Sequence, residues 1–249
     1  MPASPWLLAI ESATRCVSVA VLRGETLQAG CAADERRDPA RSLLPLVDEA
    51  LGKAGVSLDA IEAFALTIGP GSFTSLRVGL ASVKGLSFGT GRPVAPVSTL
   101  AALALRARLS SSNPGASEVP IAALLDARRN QVYAAVYRTA DDGGIEPIEV
   151  VPEAVYAIAE LAEKLDALGP RCSLVGEGAA LYAPDLETLR GSAVEISPLT
   201  AEPVGAYAVG LLGARRLARG EGVPAAELVP HYLLRTEAEQ QRLASLGDD

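Results

Sequence analysis

The chain has 249 residues, 49% of them hydrophobic, which is enough to bury a substantial core in one large domain or two lobes. Its formal net charge of -8 argues against a free-standing nucleic-acid binder, because binding to phosphates depends on clustered Lys and Arg. The apolar runs are too short for a membrane span, and the segment Trp6 to Ile10 lacks the basic flank of a signal peptide, so we expect a cytoplasmic protein without a membrane partner.

The first hundred residues alternate between strand-like and helix-like patterns. Three strands are predicted in WLLAIESA, CVSVAVLRG and ETLQAGCAAD. A helix follows in ARSLLPLVDEALGKAG, where Leu43, Val47 and Leu51 recur at helical spacing. A buried strand in AFALTIG and a helix from Thr74 to Gly89 complete the order βββαβα. A strand in VAPVST and an Ala/Leu helix come next, and we assign residues 1–105 to a first lobe.

A similar order restarts after the Ser/Gly/Pro-rich stretch Ser110 to Glu118, which is predicted to be a loop near a lobe boundary. The second lobe, residues 119–203, is predicted to contain strands in IAALLDA, NQVYAAVY and GIEPIEVV, a helix in AIAELAEKLDALG, a strand in SLVGEG and a short helix in ALYAPDLETLRG. An amphipathic helix over residues 204–220 is expected to pack back on the first lobe. Residues 221–249 are expected to form an arm and tail.

Two turns support a duplication of the fold. An acid ends the first strand of each lobe, at Glu11 and Asp126, and each acid precedes an arginine-containing turn of the same length. The alternative is a coincidence between two ordinary hairpins, which would give the same local pattern.

The string IGPGSFTSLRVGL, from Ile68 to Leu80, is the most informative in the chain. A buried strand passes through Gly69-Pro70-Gly71 into a helix capped by Ser72 or Thr74, and the glycines permit positive φ or close backbone approach. Free N–H groups at the helix start could bind an anion, although capping alone also explains these residues. Since no Lys follows the second Gly, a Walker-type nucleotide site is not expected.

Candidate metal ligands are scarce. His231 is the single histidine, so a His-x-x-x-His metal site cannot form and a Ser-His-Asp triad would need His231 as its base. We interpret His231 as a packed or surface residue. Cys16, Cys31 and Cys172 are interpreted as small buried hydrophobes, with a reactive thiol as the alternative.

The carboxylates of Glu11, Asp126 and Glu177 stand at strand ends, where clefts form. They could act as acids or bases, but capping of turns and salt bridges to Arg15, Arg128 or Arg129 are favoured. We therefore predict no catalytic residue, no bound metal and no cofactor.

The string from Ile68 to Leu80 resembles the GPGSFTGLR signature of the TsaB family, with Ser75 in place of Gly. Similarity continues in LLAIESAT, RSLLPLVDEAL, LLDARRNQVYAAVY, the GEG at Gly176 to Gly178 and PHYLLR, from Leu7 to Arg235. The signature residues are Gly69, Pro70, Gly71, Ser72, Phe73, Thr74 and Arg77. The resemblance implies an α/β chain with a two-lobed actin/hexokinase-like (ASKHA) fold and a duplicated βββαβα core with mixed sheets.

The resemblance also implies a role. TsaB-like proteins are non-catalytic subunits that dimerise with a TsaD-like catalytic subunit. With a TsaE-like ATPase they support transfer of a threonylcarbamoyl group to adenosine in tRNA, so this chain would meet tRNA only through the complex. A homodimer of the isolated chain is a further option. An independent ASKHA-type ATPase or small-molecule kinase is the alternative, and an M22-like metallopeptidase is disfavoured by the histidine count.

The family uses two helices of the first lobe for dimerisation. This nominates as partner-binding residues Leu43, Val47, Leu51, Leu76, Leu80 and Val83. The alternative is that these two stripes pack within the chain itself.

Superfamily members that turn over phosphate bind ATP between the lobes, using a small-residue turn and a carboxylate in each lobe. Here Arg128 and Arg129 stand where small residues would be needed. We therefore expect a degenerate nucleotide cleft, with the alternative that the arginines clamp an anion.

Overall fold

The computed structural model describes residues 4–33, 38–111, 119–139, 145–192, 194–197 and 204–234. The first half contains β1 (Trp6–Glu11), β2 (Ser18–Arg23), β3 (Thr26–Ala32), α1 (Pro39–Ala54), β4 (Ala63–Gly69), α2 (Phe73–Ser87), β5 (Pro93–Ser98) and α3 (Thr99–Ser110). The second half contains β6 (Ile121–Arg128), β7 (Gln131–Thr139), β8 (Pro147–Ala157), α4 (Ile158–Leu168), β9 (Ser173–Val175), α5 (Glu177–Arg190), β10 (Glu195–Ile196), α6 (Val204–Ala218) and β11 (Val223–Pro224). The predicted loop over 112–118 and the tail from 235 lie outside the described residues.

The described strands form two mixed sheets with one topology. Their orders are β5-β4-β1-β2-β3, with β11 added beside β5, and β10-β9-β6-β7-β8. In each sheet three successive strands pair antiparallel, and the next two join in parallel beside the first of them. The predicted two-lobed α/β fold with a duplicated βββαβα core is therefore confirmed. Each copy continues with one further strand and helix.

The two acid-containing turns differ more than predicted. Glu11 pairs with Ser18 across an open turn, whereas Asp126 pairs with Val132 and β6 continues to Arg128. The β6–β7 hairpin closes through Arg128, Arg129 and Asn130, which all have positive φ. The expectation of two turns of equal length is therefore wrong, because the second hairpin forms a ladder pair closer to its tip.

Local sequence signals set the ends of α1 and α2. The Asp38 side chain accepts the Ala40 N–H at the start of α1, and Gly55 ends that helix in the left-handed conformation. Ser72 caps α2, as predicted, so this helix begins at Phe73. Its C-terminal residue is Ser87, two residues before the predicted end.

Helix α3 lies between the two sheets and joins the lobes. Leu103 and Ala107 pack with Ile121 and Leu125 of the second sheet, while another side of α3 packs with the first sheet and α6. Helix α6 itself lies on the first sheet. The predicted lobe boundary at residue 105 falls inside α3, so the exact bounds of the lobes stay a proposal.

Across the described ranges, none of the helices combines the length and the apolar character that crossing a bilayer requires.

Candidate functional site

A cleft of about 630 Å³ separates the two lobes. The turn after β1 and the first turn of α2 line it from the first lobe, and the end of β6 and the start of α5 line it from the second. Its polar lining includes Thr14, Arg15, Thr74, Asp126, Arg128 and Glu177. The duplicated topology thus brings equivalent strand ends of both lobes to one place.

The signature turn is packed against the turn after β1. The Ser72 N–H donates to the Ala13 carbonyl at 2.9 Å, and a side chain added at Gly71 would collide with that same carbonyl. The predicted close backbone approach at Gly71 is thereby confirmed. Ser75, which replaces the family's Gly, is buried and places its hydroxyl 2.9 Å from that of Ser72, so it extends the helix cap.

The C-terminal segment covers the other side of the signature turn. The His231 N–H donates to the Ile68 carbonyl at 2.7 Å, and a side chain at Gly69 would collide with the His231 carbonyl. Tyr232 stacks on Phe73 with 5.3 Å between ring centroids. This contact between the C-terminal segment and the site was not predicted from the sequence. Phe73 and Tyr232 can be seen in the sequence as aromatic residues, but nothing in the sequence shows that they stack on each other.

Arg77 completes this aromatic contact. Its guanidinium carbon lies 3.9 Å from the centroid of Phe73, and its Nε donates to the Tyr232 hydroxyl at 3.2 Å. The exposed signature arginine is thus held by Phe73, which lines the cleft, and by the C-terminal segment.

Glu11 is buried and caps its own turn. Its carboxylate accepts the N–H groups of Ala13 and Thr14 and the hydroxyl of Thr14, at 2.8, 3.0 and 2.9 Å. Burial raises the pKa of Glu11, while these hydrogen bonds and the charge of Arg106 oppose the rise. Arg106, buried on α3, was missed because an arginine inside an Ala/Leu helix gives no sequence signal of what it faces.

The other two carboxylates are also held by neighbours. Asp126 accepts the Arg128 N–H at 2.8 Å and the Tyr182 hydroxyl at 2.9 Å. Glu177 accepts the Arg15 N–H at 2.7 Å and forms a 3.2 Å ion pair with its side chain, across the cleft. Glu11 and Asp126 thus cap turns and Glu177 pairs with Arg15, as the favoured interpretation expected, while the absence of a catalytic role stays a prediction.

The two arginines of the second turn are placed differently. Arg128 is exposed and lines the cleft, whereas Arg129 is exposed but is not among the described residues that line it. The degenerate nucleotide cleft stays a prediction, and its alternative, an anion clamp, would have to rely on Arg128 rather than on both arginines.

The cysteines are buried, as predicted. Burial raises the pKa of Cys31 and of Cys172, which disfavours their thiolates. Within the described ranges no three His, Cys, Asp or Glu side chains are grouped so as to hold a metal ion.

The choice of partner-binding side chains needs correction. All six nominated residues are buried in the free chain: Leu43, Val47, Leu51, Leu76, Leu80 and Val83. Five of them belong to one core cluster under the first sheet, and α1 packs against α2. The large aliphatic residues of both stripes therefore serve the chain's own core, as the alternative had it. The solvent side of the two helices carries Leu44, Ala81 and Gly85 instead, and the exposed Phe88 follows directly after α2.

Comparisons with known proteins agree with this geometry. A family model described as "TsaD: tRNA N6-adenosine threonylcarbamoyltransferase" matches residues 35–239. A protein of Haemophilus influenzae named tRNA threonylcarbamoyladenosine biosynthesis protein TsaB is 40% identical over 129 residues, 51% of each chain. The Escherichia coli protein of the same name is 37% identical over 185 residues, 72% of this chain and 74% of that protein.

A solved structure extends the match to nearly the whole chain. YeaZ from Pseudomonas aeruginosa is 33% identical with a TM-score of 0.74, covering 92% of this chain and 100% of that one. Signature turn, fold and relatives together show that this chain belongs to the TsaB family, within the wider group that the TsaD-type model describes.

Proposed function

We propose that this chain is a non-catalytic scaffold subunit in the formation of N6-threonylcarbamoyladenosine in tRNA. It docks on a TsaD-like catalytic subunit, works with a TsaE-like ATPase, and meets tRNA only through the complex. The names of the relatives, tRNA threonylcarbamoyladenosine biosynthesis proteins, support the pathway. The scaffold role is supported by two further observations, the solvent face of two helices and the contacts of the acids around the cleft.

The solvent face of α1 and α2 is the observation that carries the proposal. Leu44 is 50% exposed and Phe88 is 87% exposed, while the exposed Ala81 and Gly85 lie between bulkier neighbours on α2. We call these four residues the docking face. Space around Gly85 is open, so a partner helix can approach the backbone closely there. Large exposed apolar side chains next to small ones favour a protein partner.

The cleft supports a non-catalytic role. Two carboxylates line it: Asp126 accepts hydrogen bonds from donors of the chain, and Glu177 is paired with Arg15. Glu11, at the equivalent strand end, is buried and caps its own turn. A general base needs a free acceptor within reach of a substrate proton. These acids are arranged to hold turns and lobes together.

The test separates binding from folding. Ala81→Asp places a charge on the docking face, where it is solvated in the free subunit, and Ala167→Asp makes the same change at an exposed position of α4. We expect Ala81→Asp to keep its melting temperature, to weaken binding to the TsaD-like subunit at least about tenfold, and to fail to restore modified tRNA in cells lacking the wild-type chain. Ala167→Asp should behave like wild type.

Two results would overturn the proposal in different ways. If folded Ala81→Asp and a second variant, Phe88→Asp, both bind the catalytic subunit normally, the docking face is not the interface. If binding is lost but the tRNA modification persists, the chain has another role.

A further inference from the structure

The C-terminal arm, residues 223–234, is fastened to the first lobe along its length. Val223 pairs with Val94 of β5, and the Lys84 Nζ donates to the Ala226 carbonyl at 3.3 Å. Leu228 is buried in the core that contains α1 and α2. The arm is therefore part of the folded first lobe up to this point.

The arm then fixes the signature turn. The His231 N–H holds the Ile68 carbonyl, and Tyr232 holds Phe73 and Arg77. His231 makes its contact through its backbone and Tyr232 through its side chain, so the imidazole of His231 takes no part in holding the signature turn.

That imidazole reaches the second lobe. Its Nδ1 lies 3.4 Å from the Glu153 Oε1 on β8, and Glu153 Oε2 accepts the hydroxyl of Ser98, the residue that caps α3. The Glu153 side chain is 10% exposed, and its Oε1 accepts no hydrogen bond from the described residues, so its contact with the imidazole is an ion pair that forms when His231 is protonated. First lobe, second lobe and arm thus meet at one carboxyl.

The surroundings of Glu153 make this contact matter. Burial raises its pKa, the hydrogen bond from Ser98 and the charge of His231 oppose the rise, and Glu149 on the same strand adds to it. Tyr137, on the neighbouring strand β7, is a further titratable group beside it. Because Glu153 Oε1 has no hydrogen bond to offset its burial, the charge of His231 is what compensates it there, and removal of the imidazole should be felt in β8.

We propose that the C-terminal arm is a strap that couples the signature turn of the first lobe to β8 of the second lobe through the contact between His231 and Glu153. Tyr232 fastens the strap to the first lobe only. The contact between His231 and Glu153 stabilises both the arm and β8. Loss of the His231 imidazole therefore loosens β8, and loss of the Glu153 carboxylate loosens the arm and the signature turn that the arm holds. This coupling goes beyond the proposed docking role and does not depend on it.

Hydrogen exchange of the full-length chain tests the strap. In His231→Ala the N–H to Ile68 is retained and only the imidazole is lost. We expect amide exchange in residues 149–157 to accelerate about tenfold. Tyr232→Ala should accelerate exchange in residues 68–78 and leave 149–157 unchanged. Val229→Ala, at a position of the arm that is 69% exposed, is the matched control and should change neither segment.

The reciprocal variant reads the coupling in the opposite direction. Glu153→Leu keeps a similar volume without a carboxylate, and we expect faster exchange in residues 68–78, where nothing has been substituted. Unchanged exchange of 149–157 in folded His231→Ala overturns the proposal, as does unchanged exchange of 68–78 in folded Glu153→Leu. If Glu153→Leu does not fold, His231→Ala decides alone, since its side chain is 48% exposed and its loss leaves no cavity in the core.

Discussion

At the scale of single residues, the acids around the cleft show how far sequence position alone can predict chemistry. Glu11, Asp126 and Glu177 stand beside strand ends, and this predicted their capping role because acids there meet free N–H groups. The burial of Glu11 and its approach to Arg106 were not predictable. Both depend on α3 being placed between the sheets, which no local pattern encodes.

The burial of Glu11 has a consequence for stability. Its pKa is raised from an ordinary value of 4.5, chiefly by burial. A carboxyl with a raised folded-state pKa contributes stability that is fully present below the unfolded-state pKa and is lost as the pH rises through the folded-state pKa. We therefore expect the unfolding free energy of wild type to fall, relative to that of Glu11→Gln, as the pH rises from 4.5 towards neutrality.

Urea denaturation of both proteins across this pH range measures the difference. Residues other than Glu11 titrate in both chains and cancel in the comparison. Parallel stability profiles would mean that Arg106 and the three donated hydrogen bonds fully offset the burial of the carboxylate.

Gly71 gives a second prediction at this scale. A side chain there would collide with the Ala13 carbonyl and lie 2.9 Å from the Ala13 Cβ, so Gly71→Val should cost about 1 to 3 kcal/mol. For a chain of this size that lowers the melting temperature by roughly 2 to 12 °C. Gly85→Val, where the added atoms meet open space, is the matched control. Equal melting temperatures for the two variants would show that the signature turn yields to the new side chain.

At the scale of elements, the periodicity of α1 and α2 identified the helices correctly but did not identify their exposed faces. Hydrophobic spacing marks the stripe that will be covered, and the large aliphatic residues of both stripes are covered by the first sheet and by each other. The docking face carries small residues and two large apolar ones, Leu44 and Phe88, that break the periodicity. A partner surface of this kind is visible only after the core has been assigned.

Adjacent positions on α2 test this assignment. Leu80 is buried and Ala81 is exposed, so Leu80→Asp buries a charge without a partner and should cost several kcal/mol, enough to unfold the chain. Ala81→Asp should change the free energy of unfolding by no more than about 0.5 kcal/mol. Circular dichroism melts of the two variants measure this contrast. Similar losses of stability in both variants would show that α2 is rotated about its axis, so that Ala81 as well as Leu80 faces the core.

At the scale of the whole molecule, the order of elements and the duplication were predictable because each lobe repeats the same local patterns. The strand order β5-β4-β1-β2-β3 and its copy follow from that order, with parallel strands joined by helices. The return of the arm to Phe73 and Glu153 was not predictable. Contacts between segments so far apart in the chain leave no periodic signal in either of them.

The same whole-molecule view gives a prediction about catalysis. Around the cleft the acids that could position a metal or water have other contacts: the buried Glu11 and the cleft residue Asp126 cap turns, and the pair of Arg15 and Glu177 crosses the space between the lobes. Arg128 adds a long side chain to the cleft from the second lobe. We therefore expect the purified chain alone to show no appreciable ATP turnover. Because it has a single histidine and its cysteines are buried apart, we also expect no stoichiometric zinc or iron.

Steady-state ATP hydrolysis and elemental analysis of the same preparation check both expectations, and variants separate the chain's own activity from contamination. Residual turnover that is equal in wild type, Glu11→Gln and Asp126→Asn belongs to a contaminant, since the two acids are the carboxylates at equivalent strand ends of the two lobes. ATP turnover that disappears in either variant would identify the cleft as an active site and would contradict the scaffold hypothesis. Weak nucleotide binding without turnover would leave that hypothesis intact, because Arg128 and the start of α2 can attract an anion without activating a nucleophile.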